Sequence, residues 1–186
     1  MDLFYLCILP ATDDERCTMR LVGLAAFHYE KEDWPEAIAA AAAVQKHMAP
    51  TGASPQWHIS PETGSWEGEQ AEWHHMHDGN LSKALVEIFE AGNVRTVVDF
   101  GCGMGLYVRD FRAAGLRAVG FDGNPDTLKL SQGRCFHADL SREVDAGTRF
   151  DMVMSLEVAE HIPPQHEQMF IDNICNHVTT YAIISW

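Results

Sequence analysis

The run VVDFGCGMGLYVRDF, residues 97–111, holds the densest chemistry in this chain. An apolar strand pattern passes through Asp99, and Gly101, Gly103 and Gly105 follow before a helical pattern begins. Glycines at such a bend let the backbone turn tightly and come close to a ligand. The helix start beyond them offers free N–H groups to a carboxylate or other anion. A dinucleotide-binding turn wants G-x-G-x-x-G. Here the spacing is G-x-G-x-G, with Leu106 at the sixth position. Asp99, two residues before the first glycine, repels a pyrophosphate and suits an ammonium group.

A second constellation is EVAEHIP, residues 157–163. If it opens a helical turn, Glu157, Glu160 and His161 share one face. Two carboxylates and an imidazole there can hold a divalent ion. Without a metal, His161 is the candidate general base for an acceptor O–H or N–H, with Glu157 beside it. The stretch EWHHMHDGN places His74, His75 and His77 next to Asp78. Neighbouring residues do not share a helix face, so at most two of these histidines converge. Cys102, inside the glycine turn, reads as a small residue that fits there rather than as a nucleophile.

These groups need elements to position them. The pattern gives a helix over about Leu81–Glu90, then strands at Thr96–Phe100, Ala118–Phe121, Arg134–Ala138, Asp151–Ser155 and Tyr181–Ser185. Helices follow Leu106 and the pair Asn124–Pro125, and another spans about Gln165–Cys175. Strands alternating with helices imply an α/β fold with a doubly wound, mostly parallel sheet. The strands TVVDF and AIIS are continuously apolar, as expected when both faces are covered. Asp99, Asp122 and Asp139 each lie toward the C-terminal end of a predicted strand, where open α/β sheets bind ligands.

In their order and spacing these motifs resemble the class I S-adenosylmethionine-dependent methyltransferases over about residues 71–186. The resemblance implies a Rossmann-like, three-layer α/β/α domain. It implies S-adenosyl-L-methionine as cofactor and methyl transfer to an oxygen or nitrogen of a small molecule or protein side chain. Asp122, in AVGFDGNPDTLKLS, falls where the family binds both ribose hydroxyls. Asp139, in CFHADLS, falls where it bonds the adenine amine, and Asp99 helps hold the methionyl ammonium. The donor set implied is Asp99, Gly101, Cys102, Gly103, Gly105, Asp122, Gly123, Asn124, Asp139, Leu140, Leu156 and Glu157. The stretch around Trp73 and His77 falls where the family has a lid. The E-x-x-E-H pattern of Glu157, Glu160 and His161 also occurs in ubiquinone-pathway O-methyltransferases and in small-RNA 3′-terminal 2′-O-methyltransferases. There it looks like a metal site that grips acceptor hydroxyls. Two rival readings remain at this level. One is a donor-binding module without turnover. The other is an aminopropyl transferase, which shares the glycine turn but has an acidic acceptor-binding motif not obvious here.

Composition narrows the partners. The 27 acidic against 13 basic residues give a formal net charge of −14, which repels phosphate backbones and argues against nucleic acid. The five cysteines are odd in number and match no zinc spacing, so they read as reduced thiols in a cytoplasmic setting. MDLFYLCILP lacks a basic leader, and no apolar run of about 18 residues predicts a membrane span.

Ahead of the main domain the chain divides in two. Residues 1–50 predict a short strand around Leu3–Leu9 and a helical hairpin, in which FHYEKEDWPEAIAAA resembles half a tetratricopeptide repeat. Residues 51–70, rich in Pro, Gly and Ser, predict a linker or lid whose Trp57 and Trp66 fold back onto an apolar surface, the domain exterior being preferred to a pocket. The last predicted strand, YAIISW, is interior in the resembling family, between the fourth and seventh strands. Its bare edge predicts one of three arrangements: a longer protein, cover by the N-terminal strand, or pairing with another copy.

Overall fold

The computed structural model describes Phe4–Tyr5, residues 58–67 and residues 77–185. The strands are β1 (Phe4–Tyr5), β2 (His58–Ile59), β3 (Trp66–Glu67), β4 (Thr96–Phe100), β5 (Arg117–Asp122), β6 (Cys135–His137), β7 (Phe150–Ser155) and β8 (Val178–Ser185). The α-helices are α1 (Gly79–Ala91), α2 (Leu106–Ala113), α3 (Thr127–Leu130) and α4 (Glu167–His177). The expected helical hairpin within residues 1–50 falls outside the described residues, as do Trp57, Trp73, His74 and His75.

The main sheet has the order β1-β8-β7-β4-β5-β6. From β8 to β6 every pairing is parallel. Alternate residues of each strand feed two cores, one per face. Val98, Phe100, Val153, Ala182 and Ile184 pack with Phe170 and Ile174 of α4. Val97, Met152, Met154 and Ile183 pack with Leu85 and Phe89 of α1 and with Val108 and Phe111 of α2. Two helical layers on one sheet make the three-layer α/β/α arrangement expected from the sequence. Burial on both faces explains why these strands read as unbroken apolar runs.

Element ends differ from expectation by local chemistry. Helix α1 starts two residues earlier than expected because Asp78 caps it, accepting from the N–H groups of Asn80 and Leu81. Helix α4 starts at Glu167 because Pro164–His166 is wound as a 3₁₀ turn. Strand β8 begins three residues earlier, at Val178.

The outer edge of β8 is covered at its last two residues. β1 runs antiparallel beside it, with Phe4 opposite Ser185 and Tyr5 opposite Ile184. Cover by the N-terminal strand, one of the three expected arrangements, is present at the C-terminal end of β8. Cys102 and Cys135 are free thiols. Cys175, half-buried near the end of α4, is disulfide-bonded, which corrects the expectation of five reduced cysteines. No helix among the described residues is long and apolar enough to cross a membrane.

Candidate donor and acceptor site

The parallel strands deliver their C-terminal ends to one edge of the sheet, and a cavity of about 450 Å³ opens there. Its floor is the turn after β4. Gly101 N–H and Cys102 N–H both donate to the Phe121 carbonyl, at 2.7 and 3.2 Å, and strap the turn to β5. Gly101 has φ +83°, and a Cβ on it would lie 2.1 Å from Cγ2 of Val158. Gly105, at φ +66°, starts α2, and a Cβ there would lie 2.5 Å from the Cys135 sulfur. Both positions demand glycine by conformation and by space.

Asp122 closes the turn from the side. It is 8% exposed. Its Oδ2 accepts from Gly103 N–H and its Oδ1 from Asn124 N–H, each at 2.8 Å. Each carboxylate oxygen keeps further acceptor capacity toward the cavity. Asp139 also faces the cavity, while its Oδ1 accepts from the N–H and hydroxyl of Ser141 and its Oδ2 pairs with Arg142 at 3.2 Å.

Asp99 differs from both. It is 3% exposed, lines the cavity and takes no hydrogen bond or ion pair among the described residues. Burial pushes its carboxyl well above the ordinary carboxylate range, and the nearby Cys135 and Asp122 act in the same direction. A buried carboxyl left unpaired on a cavity wall suits a cationic ligand, which would offset the cost of ionising it. Below the turn, burial pushes the Cys102 thiol up, so this cysteine is poorly suited to nucleophilic work.

Of the twelve expected donor residues, ten line the cavity. Gly105 and Asn124 do not. Gly105 shapes the turn from behind. Asn124 is 1% exposed and organises its own loop, its Oδ1 accepting from Asp126 N–H at 2.8 Å.

The opposite wall follows β7. Glu157 has φ +56°, and the 3₁₀ turn begins only at Ala159. Its N–H donates to the Ser185 hydroxyl at 2.6 Å, and that hydroxyl donates to Glu157 Oε1 at 2.7 Å. The shared helical face expected for Glu157, Glu160 and His161 is therefore not formed. His161 Nε2 stands 3.9 Å from Glu160 Oε1, but Glu157 is turned toward Ser185. Among the described residues no three His, Cys, Asp or Glu side chains gather to hold a metal. All three residues still line the cavity.

A β-hairpin, β2 and β3, lines the cavity from another side. Its turn runs from Ser60 to Ser65, with Ser60 N–H donating to the Ser65 carbonyl at 2.9 Å. A Cβ on Gly64 would lie 2.1 Å from the His161 carbonyl oxygen, and one on Gly123 would lie 2.5 Å from Ser65 Cβ. The turn is thus wedged between the loops after β5 and β7. Trp66 sits edge-on to His161, ring centroids 5.3 Å apart at 77°. The preference for a tryptophan lying on the domain exterior is corrected here: Trp66 is a wall of the cavity.

At the far end, Asp78, Leu81 and Tyr107 complete the wall. His77 stands behind them, 2.8 Å from Asp110 Oδ2 and tilted on Tyr107 at 5.0 Å. The sequence reading missed Asp78 and Tyr107 as cavity residues. The available signal was the capping pattern HDGN, which fixes where α1 begins.

A glycine turn and acids at the C-terminal edge of an open parallel sheet define a ligand-binding α/β domain of the doubly wound class. Residues 73–184 match the family described as "Methyltransferase domain", and the chain belongs to that family. A ubiquinone biosynthesis O-methyltransferase of Bradyrhizobium diazoefficiens is 29% identical over 126 residues, covering 56% of this chain and 48% of that protein. One from Rhodopseudomonas palustris is 34% identical over 77 residues, covering 36% and 29%. The chain thus spans less than half the length of these curated relatives. In fold it is similar to a TehB-like S-adenosylmethionine-dependent methyltransferase of Corynebacterium glutamicum, with a TM-score of 0.50, 21% identity and coverage of 62% and 68%. It is similar also to CalS10, an amino pentose methyltransferase from Micromonospora echinaspora, with a TM-score of 0.50, 18% identity and coverage of 59% and 50%.

Proposed function

We propose that this chain transfers a methyl group from S-adenosylmethionine to an oxygen or nitrogen of a small-molecule or protein acceptor. The observation that carries the donor half is Asp99, a buried carboxylate without a partner among the described residues, set against the cavity beside a glycine turn. That is the complement of an ammonium group. Asp122 would take the ribose hydroxyls with the acceptor capacity its backbone bonds leave free, and the wall at Asp139 and Leu140 would take the adenine. The donor supplies an electrophilic methyl and its own leaving group, so the chain's work is binding, orientation and exclusion of water.

For the acceptor half, His161 is the proton-accepting group. It lines the cavity, has Glu160 beside it and is held between Trp66 and its own turn. The relatives named as O-methyltransferases support an oxygen acceptor. A non-nucleic-acid acceptor is supported by the acid excess. Calorimetric titration with S-adenosylmethionine tests the donor half. Binding with a Kd of about 0.1 mM or tighter is expected, and no heat at that concentration would overturn the reading. Formation of S-adenosylhomocysteine with candidate phenols, alcohols and amines, lost in His161→Ala, tests the acceptor half.

A further inference from the structure

Cys102 and Cys135 are free thiols to which the donor reading gives no chemistry. Cys102 lies in the glycine turn and lines the cavity, while Cys135 opens β6 and is fully buried. A Cβ on Gly120 would lie 2.6 Å from the Cys102 sulfur and 2.7 Å from the Cys135 sulfur, so both sulfurs crowd one point over a glycine of β5. Gly105 clears space for the Cys135 sulfur from another side, where a Cβ would lie 2.5 Å away. Far apart in sequence, the two cysteines thus meet beneath the floor of the cavity. Their thiols are unequal. The neighbouring Cys102 thiol, then the Ser131 hydroxyl and the Arg112 and Arg134 guanidiniums, hold the Cys135 thiol below its ordinary value against burial. Burial pushes the Cys102 thiol up. A sulfur disposed to ionise beside a second, cavity-lining sulfur is a dithiol able to close.

We propose that Cys102 and Cys135 are an oxidisable pair whose disulfide reshapes the glycine turn and switches donor binding off. The proposal rests on the donor reading above. The oxidant is hydrogen peroxide, small enough to enter the cavity and reach Cys102. One peroxide oxygen passes to the Cys102 sulfur, giving a sulfenic acid, and the other leaves as water. The Cys135 sulfur then attacks the Cys102 sulfur, the sulfur–oxygen bond breaks, and its oxygen leaves as a second water. The dithiol gives up two electrons and two protons, and the peroxide takes up both pairs. A disulfide holds its sulfurs about 2.05 Å apart. Cys135 is the fixed member, because β6 pairs with β5 at Gly120 and Cys135 N–H donates to Ser131 Oγ at 3.0 Å. Cys102 belongs to a turn strapped to β5 by two N–H bonds, so the turn is the part that yields. Its movement draws Gly103 N–H away from Asp122 Oδ2 and displaces the cavity floor. A bound donor covers Cys102 and holds the turn, so the occupied protein resists oxidation.

The test treats the full chain with about 1 mM hydrogen peroxide and reads two things. The first is the cross-link. Trypsin cuts after Arg95, Arg109, Arg134 and Arg142, which leaves Cys102 and Cys135 on separate peptides, 96–109 and 135–142. Mass spectrometry without reductant is expected to find these two joined, and the joined fraction is expected to fall about threefold or more when S-adenosylmethionine is present during the treatment. The second is calorimetry with S-adenosylmethionine, in which the oxidised chain is expected to bind about tenfold more weakly or worse. Cys135→Ala, with an intact melting transition, is expected to bind like the untreated chain both before and after peroxide. Met104 also lines the cavity and can be oxidised, and the variant keeps it. Equal loss of affinity in the variant and the wild type therefore overturns the switch. So does a missing cross-link, or a cross-linked chain with unchanged affinity. If the untreated chain binds no S-adenosylmethionine, the donor reading falls and the switch falls with it, whereas a missing cross-link in a chain that binds donor removes the switch alone.

Discussion

Asp151 and Asp99 lie on adjacent strands of one sheet, near the edge where strands begin and the edge where they end. At the first edge Asp151 Oδ2 accepts from the N–H groups of Arg95 and Thr96 at 2.8 and 2.9 Å, and its own N–H donates to the Thr96 hydroxyl at 2.8 Å. Burial alone would raise its carboxyl, but these bonds outweigh burial and hold it below the ordinary value. Nearby, Asn173 meets the same standard: its Oδ1 accepts from Val144 N–H, and its amide donates to the carbonyls of Leu140 and Arg142. At the second edge Asp99 is more deeply buried, without such bonds among the described residues, and its carboxyl is pushed up. The first edge is built for stability. The second keeps a carboxyl whose ionisation is costly, and a structure tolerates that where a ligand will answer it.

The two acids must respond to pH in opposite senses. For Asp151 the folded pKa is depressed, so its stabilising contribution is present above the unfolded value and is lost as pH falls through the folded one. For Asp99 the folded pKa is raised, so the native state holds its proton more tightly. Stability from that site falls as pH rises from the ordinary carboxylate value through the raised one.

The strongest perturbation is Asp122→Ala. It removes charge-assisted contacts to the donor and the anchor of Gly103, and S-adenosylmethionine affinity should fall by about 100-fold or more. Calorimetry with an intact melting transition as control checks it, and retained affinity would remove Asp122 from the clamp. Next is Asp151→Ala, which leaves two strand-end N–H groups without their acceptor. It should lower unfolding free energy by about 1–3 kcal/mol, read by denaturant titration, with donor affinity unchanged. Asp99→Asn should then invert that pattern. The empty domain should melt at a higher temperature while donor affinity drops about tenfold. A lower melting temperature would break the contrast drawn between the two edges. Wild-type donor affinity should also weaken as pH falls through the raised pKa of Asp99, because a protonated carboxyl no longer attracts a cation, and Asp99→Asn should flatten that dependence. The smallest effect is Trp66→Ala. Loss of its edge-on contact with His161 should slow acceptor turnover by about two- to tenfold, with a smaller change in donor binding.

What the sequence disclosed follows from how local each signal is. Asp122 ends an apolar strand and precedes Gly-Asn-Pro, and no distant partner is needed to place it on the sheet edge. The glycine turn is equally self-contained. The E-x-x-E-H run misleads because its spacing has meaning only on a helix. Glu157 is held at positive φ, its N–H and carboxylate both tied to Ser185 on another strand. Trp66 was misplaced for a related reason. β2 and β3 have two residues each, and their docking depends on Gly64 meeting the His161 carbonyl and Ser65 meeting Gly123. No periodicity within residues 51–70 encodes those neighbours.

The pairing of β1 with β8 joins Phe4 to Ser185, almost the full span of the sequence. During synthesis β1 emerges early and has no place in the sheet until β8 exists. The parallel strands β4, β5, β6 and β7 can assemble with α1 and α2 while it waits. Closing so long a loop is slow and entropically late. Until it closes, β8 offers an apolar edge able to pair with another nascent chain, so the yield of folded protein should fall as synthesis becomes crowded.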